Sequence, residues 1–242
     1  MSQSQRVSLQ SAFVLHKRPY SESSLLLDVF SCDYGKVALL AKGARRNRSR
    51  LAGILEPFVP LSLSWSGKSD LQLLTGAEAI PPGIQLIGHN LYCGLYLNEL
   101  LNHFLHRHDA HQNLFSHYTS ALVALSGQGE AEMALRYFEL ALLEEVGFGL
   151  QIERDAKRGE PIYADRRYEY RIGFGLVESN DSQGGIAGST LIHLARRNLE
   201  GRVQLAESKR MMRTIIDHHL AGKVLRSRAL FMMQSARKQR SD

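Results

Sequence analysis

Nine consecutive residues, Lys42-Gly-Ala-Arg-Arg-Asn-Arg-Ser-Arg50, carry five cations and no acid. They sit inside a longer stretch, Tyr34 to Leu55, that has no acidic residue and also contains Lys36. Arginine at every first or second position of a flexible loop can follow a phosphate backbone. Each phosphate it neutralises releases counterions, which supplies affinity without sequence preference. The other reading is a solvated loop, but like charges held together without an anionic partner repel. Lys36, Lys42, Arg45, Arg46, Arg48 and Arg50 are therefore the first candidates for nucleic-acid contact.

A second basic block lies near the C-terminus. Residues 196–240 hold twelve Lys and Arg against Glu200, Glu207 and Asp217, a net +9 in a chain whose total is +6. Some of this charge complements helix ends, as at Lys223 after His218-His219. Lys223, Arg226 and Arg228 are the candidates for extending a nucleic-acid track. Bases stack on exposed aromatic rings, for which Tyr20, Tyr34, Phe58 and Trp65 are available. Tyr20 and Tyr34 are favoured, because they fall in predicted loops among polar residues.

Other chemistry finds little support. There is no Walker A run, no G-x-S-x-G and no H-E-x-x-H. His103 and His106 are three apart and could share a helix face near Asp109, but surface histidines around a helix–helix turn explain them equally well. Cys32 and Cys93, the only cysteines, make neither a disulfide framework nor a four-cysteine zinc site, and read as small apolar residues. No catalytic residue, cofactor or metal site is expected. A metal-dependent nuclease built on the histidines is the enzyme alternative. Arg136 lies in a strongly apolar helix and has two readings. One is a local ion pair with Glu132 at i−4 and Glu139 at i+3. The other is a cation beside an apolar groove, suited to an acidic peptide with an apolar end.

The elements that must position these residues follow from periodicity. The chain has 242 residues, 44% apolar and 22% charged, which is ordinary for a globular protein with a real core. No apolar run approaches the roughly 18 residues of a membrane span. Met1 to Gln10 is polar and lacks the apolar centre of a signal peptide. Cysteine use fits a reducing cytosol. Apolar runs at Phe13–Leu15, Leu25–Phe30, Val37–Ala41, Phe58–Trp65 and Leu71–Leu74, separated by tight turns, predict five short strands and a small barrel over residues 1–80. Pro81-Pro82-Gly83 marks a boundary. Beyond it, helical spacing appears near 88–105, 114–125, 130–146, 189–199, 205–221 and 226–234, with an irregular or hairpin insert at about 149–188 around Tyr168–Ile172. The expected class is α+β, a barrel at 1–80 followed by a mainly helical domain at 81–242 with that insert. The tail from Arg237 to Asp242 is expected to be disordered.

Several stretches carry a family resemblance: Ala12 to Phe30, Lys42-Gly-Ala-Arg-Arg, Glu56-Pro-Phe, Leu91-Tyr-Cys-Gly-Leu-Tyr-Leu-Asn-Glu-Leu-Leu, Leu135 to Leu143, and Leu225-Arg-Ser-Arg-Ala-Leu-Phe. In this order the chain resembles the bacterial recombination-mediator family RecO, in the form found in gamma-proteobacteria. The resemblance implies an N-terminal OB-fold barrel with a helical body, and a protein that binds single- and double-stranded DNA and anneals complementary strands. It also implies recognition of the acidic C-terminal tail of single-strand-binding protein, with Arg136 as the candidate residue, and work with RecR to load RecA. A cytoplasmic, nucleoid-associated place in the cell goes with it. An RNA-binding OB-fold protein is the alternative. Many family members carry a four-cysteine zinc motif in the region matching 150–180. This chain has no cysteine there, so no zinc is expected and the insert must be held by packing and hydrogen bonds.

Overall fold

The computed structural model describes residues 5–127, 129–181 and 184–231. The chain divides into two compact units, one comprising the chain to Gly129 together with the segment from Leu225, the other Glu130–Val224. Strands give way to helices between Ala79 and Gly88, but the first two helices belong to the same compact unit as the strands.

In the first unit, β1 (Gln5–Pro19), β2 (Leu25–Ser31), β3 (Gly35–Ala41), β4 (Leu61–Gly67) and β5 (Leu71–Ala79) close into an OB-like barrel of order β1-β2-β3-β5-β4. Only the β3–β5 pair is parallel. Closure depends on β1, which pairs with β4 through its first half and with β2 through its second. Register shifts between Val7 and Gln10 and between Val14 and His16 bend it. The sequence places the start of this strand at Phe13, eight residues late. Before Ala12 only Val7 turns into the core, too little for a period-2 signal. Leu61, Leu63 and Trp65 of β4 fill the barrel with Val29, Val37 and Leu39, as their alternation predicts.

The bulge at Leu15 has a specific consequence. Its carbonyl accepts a hydrogen bond from Asn98 Nδ2 (3.0 Å) of α1 (Gly88–Phe104). The Asn98 carbonyl oxygen in turn accepts from the Tyr118 hydroxyl (2.6 Å) of α2 (Gln112–Ser126). Asn98 is 2% exposed. Burial pushes the Tyr118 phenol well above its ordinary pKa, so it stays a donor. Around this link, Phe13 and Phe30 pack on Phe115 and Tyr118 with ring centroids 5.2–6.2 Å apart. Four residues earlier on α1, Gly94 lies so close to the loop after β3 that a Cβ would stand 2.9 Å from the Phe58 ring and 2.5 Å from Leu86. Next to Asn98, the Glu99 carboxylate accepts the backbone N–H groups of Arg226 (3.0 Å) and Ser227 (2.8 Å) and the Ser227 hydroxyl (2.5 Å). It thereby caps the helical turn at 226–231.

The second unit contains α3 (Ala131–Glu145), α4 (Gly188–Ala195), α5 (Gly201–His219) and a small antiparallel sheet of order β7-β6-β8. The predicted hairpin is β6 (Arg167–Arg171) with β7 (Gly175–Glu178), and β8 (Ile186–Ala187) pairs on the other side of β6. Two buried carboxylates hold this unit. Asp155 accepts the N–H groups of Lys157 and Arg158 (both 2.8 Å) and of Glu178 (2.7 Å). Burial alone would raise its pKa, but the three donors outweigh burial and hold it below the usual carboxylate value. Glu207 of α5 accepts from Arg167 (2.8 Å), Thr190 (2.5 Å) and the Ala187 N–H (3.2 Å), and its pKa is lowered in the same way. The insert does not fit a zinc ion: it has no cysteine, the Asp155 carboxylate is engaged by backbone, and among the described residues no three His, Cys, Asp or Glu converge.

Two outcomes are expected. Asn98→Leu removes the buried donor to the Leu15 carbonyl and the Asn98 acceptor of the Tyr118 hydroxyl, and costs about 2–4 kcal/mol, whereas Tyr118→Phe costs about 1. Urea unfolding followed by Trp65 fluorescence checks this, and a cost below about 0.5 kcal/mol for Asn98→Leu contradicts it. For Glu207, a depressed folded pKa gives stability that is present above the unfolded value of about 4.3 and lost as pH falls through the folded one. Glu207→Gln therefore melts lower than wild type at pH 7, and the gap closes below pH about 4. A gap that stays constant to pH 3 in melts followed by circular dichroism contradicts the assignment.

Candidate nucleic-acid interface

The strand registers put Pro19, Leu25, Ala41, Leu61 and Ala79 at one end of the barrel. The β1–β2 loop (20–24) and the long β3–β4 connection (42–60) therefore emerge at that end together. Strand β3 delivers the basic run directly: Ala41 is its last residue, and Lys42 the first beyond it. The connection is a chain of turns rather than a regular element. Arg46 N–H donates to Gly43 (3.1 Å), Ser49 to Arg46 (3.0 Å), Ala52 to Ser49 (3.2 Å) and Leu55 to Leu51 (3.1 Å).

Apolar residues fasten this connection. Ala44 and Leu55 are buried in the barrel core, with Leu51 and Ile54 packed against it. Its far end is held three times over: Glu56 forms an ion pair with Lys17 of β1, Pro57 bridges to Val14, and Phe58 is buried beside Gly94. The near end is tied to the β1–β2 loop by one residue. Arg45 donates its backbone N–H to Ser23 (2.9 Å) and its guanidinium to Ser21 (2.7 Å), both at carbonyl oxygens.

With apolar side chains turned in, the cations turn out. Lys42, Arg45, Arg46, Arg48 and Arg50 are all exposed. Among the described residues, none of the five has a carboxylate within ion-pair distance. Arg18, at the end of β1, is also exposed and without an acidic partner, and sequence reasoning missed it. It is a single cation in an apolar-patterned strand, so only the register shows that it leaves the barrel beside loop 20–24.

The other candidates are placed differently. Lys36 is not brought into this group. It stands at the start of β3, roughly 20 Å along the strand from Lys42, and its ammonium donates to the Asn102 carbonyl (2.7 Å). Arg226 is exposed, its guanidinium without an ion pair among the described residues, and Arg228 is half-buried with its guanidinium 5.9 Å from the Tyr96 ring. Lys223 is exposed, in the second unit. The last residues of the basic block, Arg237, Lys238 and Arg240, lie outside the described residues. Arg136 on α3 is 4% exposed, with Nη2 2.8 Å from Glu139 and Nε without a hydrogen-bond partner. The Glu139 half of its expected local pairing is present, whereas Glu132 bonds Lys209 of α5 instead. Of the aromatic candidates, Trp65 and Phe58 are buried, and Tyr34 packs edge-on against Trp65 at 5.5 Å. Tyr20 is exposed.

Reactive side chains are not gathered into a site. Cys93 is buried. Cys32 is half-buried, and burial together with Asp33 raises its thiol pKa, the opposite of an activated nucleophile. His108 and His111 lie 3.8 and 3.4 Å from Asp70 and Asp109 respectively. No helix among the described residues is long and apolar enough to cross a membrane.

Comparison with known proteins gives the family. Residues 5–82 match the family described as recombination protein O N terminal, and residues 87–229 match recombination protein O C terminal. The chain is 46% identical to the DNA repair protein RecO of Methylococcus capsulatus over 230 residues, covering 95% of each chain. It is 44% identical to that of Vibrio cholerae over 234 residues, covering 96% of this chain and 97% of the relative. The protein of the same name from Aliivibrio fischeri is 43% identical over 226 residues, covering 93% and 95%. On these matches, and with an OB-like barrel of the expected kind, the chain belongs to the recombination protein O family of DNA-repair proteins.

Proposed function

We propose that this protein is a DNA-repair and recombination mediator that works without covalent chemistry. It binds single- and double-stranded DNA through the end of the barrel where loops 20–24 and 42–60 meet, and it anneals complementary strands. The observation that carries this reading is the group Lys42, Arg45, Arg46, Arg48 and Arg50, exposed and, among the described residues, without carboxylate partners, on a loop that buried side chains hold in place. Annealing needs phosphate charge neutralised and most bases left free to pair. A surface of many cations and few exposed rings meets both conditions. Arg226 and Arg228 of the same unit extend the contact and Arg18 joins it, while Lys223 is a separate candidate for nucleic-acid contact in the second unit.

The partner part of the proposal rests on the family. It comprises recognition of the acidic C-terminal tail of single-strand-binding protein, joint action with RecR, and loading of RecA, in the cytoplasm at the nucleoid. Arg136 is its candidate for the tail carboxylate. The unpartnered Nε supports this, and side chains over α3 must move before an outside carboxylate reaches it.

The test leaves Arg45 in place, because its bonds to Ser21 and Ser23 shape the loop. Lys42, Arg46, Arg48 and Arg50 are changed to Ala together, and binding to a labelled single-stranded oligonucleotide is measured across salt concentrations. For wild type, log K falls steeply with log salt. The slope of the variant shrinks by about 0.7 for each phosphate that the loop no longer neutralises. An unchanged slope in a folded variant removes the loop from the interface.

A further inference from the structure

Residues 1–80 contain six aromatic side chains: Phe13, Tyr20, Phe30, Tyr34, Phe58 and Trp65. Five are used in packing. Phe13 and Phe30 meet α2, Phe58 fits against Gly94, and Tyr34 and Trp65 pack on each other at the barrel core. Tyr20 is different. It is 58% exposed, and among the described residues its ring and hydroxyl have no ring-stacking, hydrogen-bond or ionic partner. Its backbone, by contrast, is fixed. Tyr20 N–H closes the loop onto the Ser24 carbonyl (3.1 Å), and Arg45 ties Ser21 and Ser23 of the same loop into the cation run. Glu22 is the one carboxylate of that loop.

An exposed ring on a pinned loop, tied through Arg45 to a run of cations without carboxylate partners among the described residues, has the composition of a single-strand contact. Charge tracks the backbone, and a π face receives a base. Building on the nucleic-acid reading above, we propose that Tyr20 is the base-stacking residue of this site and sets its preference for unpaired bases. Phosphate charge alone does not tell a single strand from a duplex. A ring does, because bases within a duplex are already stacked on each other and offer no free face. One ring also suits annealing: it holds a strand at a single base and leaves the neighbouring bases free to pair.

The experiment uses the full-length protein and three labelled probes of equal length: an oligothymidine, the same strand with abasic sites, and a duplex. Wild type binds the oligothymidine about tenfold tighter than the abasic strand, the scale of one base–ring stack. Tyr20→Ala removes that difference, with duplex affinity and salt slope unchanged, and Tyr20→Phe keeps it. The ring is exposed and lies outside the core, so Trp65-monitored stability stays close to the wild-type value in both variants. The proposal is overturned if Tyr20→Ala still discriminates the two strands as wild type does. Wild type that binds none of the probes overturns the nucleic-acid reading beneath it, a result distinguishable from the first because it appears before any substitution is made.

Discussion

The buried link from the Leu15 carbonyl through Asn98 to Tyr118 is the constraint on which the first unit depends. A barrel closes only if β1 bends, and the bend at Leu15 takes one carbonyl out of the strand ladder. A buried carbonyl without a donor is costly. Asn98 supplies the donor, and because its amide also accepts from Tyr118, both helices are held to one point of the barrel wall. The same turn of α1 presents Glu99 to the backbone at 226–227, which fastens the C-terminal segment. One helix turn thus ties together strand, second helix and chain end. The space beside Gly94, one turn earlier, receives Phe58 and so fixes the far end of the basic connection.

Stretches that carry the family resemblance are scattered along the chain yet meet around this link. Glu56-Pro57-Phe58 anchors the loop, Gly94 makes room for it, and Asn98 and Glu99 lock the elements around it. The second unit reaches the same end with carboxylates. Asp155 collects three backbone N–H groups and Glu207 joins β6, β8, α4 and α5, so the insert is held by hydrogen bonds around two carboxylates.

Much of this was legible in the residues. The β4 alternation Leu61, Leu63, Trp65 pointed to a buried strand face, and the helix at 88–105 stood out through its lack of charge. The run Lys42 to Arg50 announced an exposed loop by composition. Three things were not legible. The first half of β1 hid because the bulge between Val7 and Gln10 and a polar outer face erase its periodicity. Arg45 looked like one cation among five, because its bonds to Ser21 and Ser23 join positions more than twenty residues apart. Lys36 looked like part of the cation group because it is near in sequence, but a strand of seven residues carries it to the other end of the barrel. Local composition shows which side chains are present, and the register decides which of them meet.

The central claim is that one end of the barrel, where Arg45 binds loop 20–24 to the cation run, receives the nucleic acid. Amide hydrogen exchange with and without a single-stranded oligonucleotide tests it most directly. The account predicts slowed exchange at 18–24 and 42–55 when the oligonucleotide is bound. Slowed exchange confined to 130–224, with both loops unchanged, would contradict it.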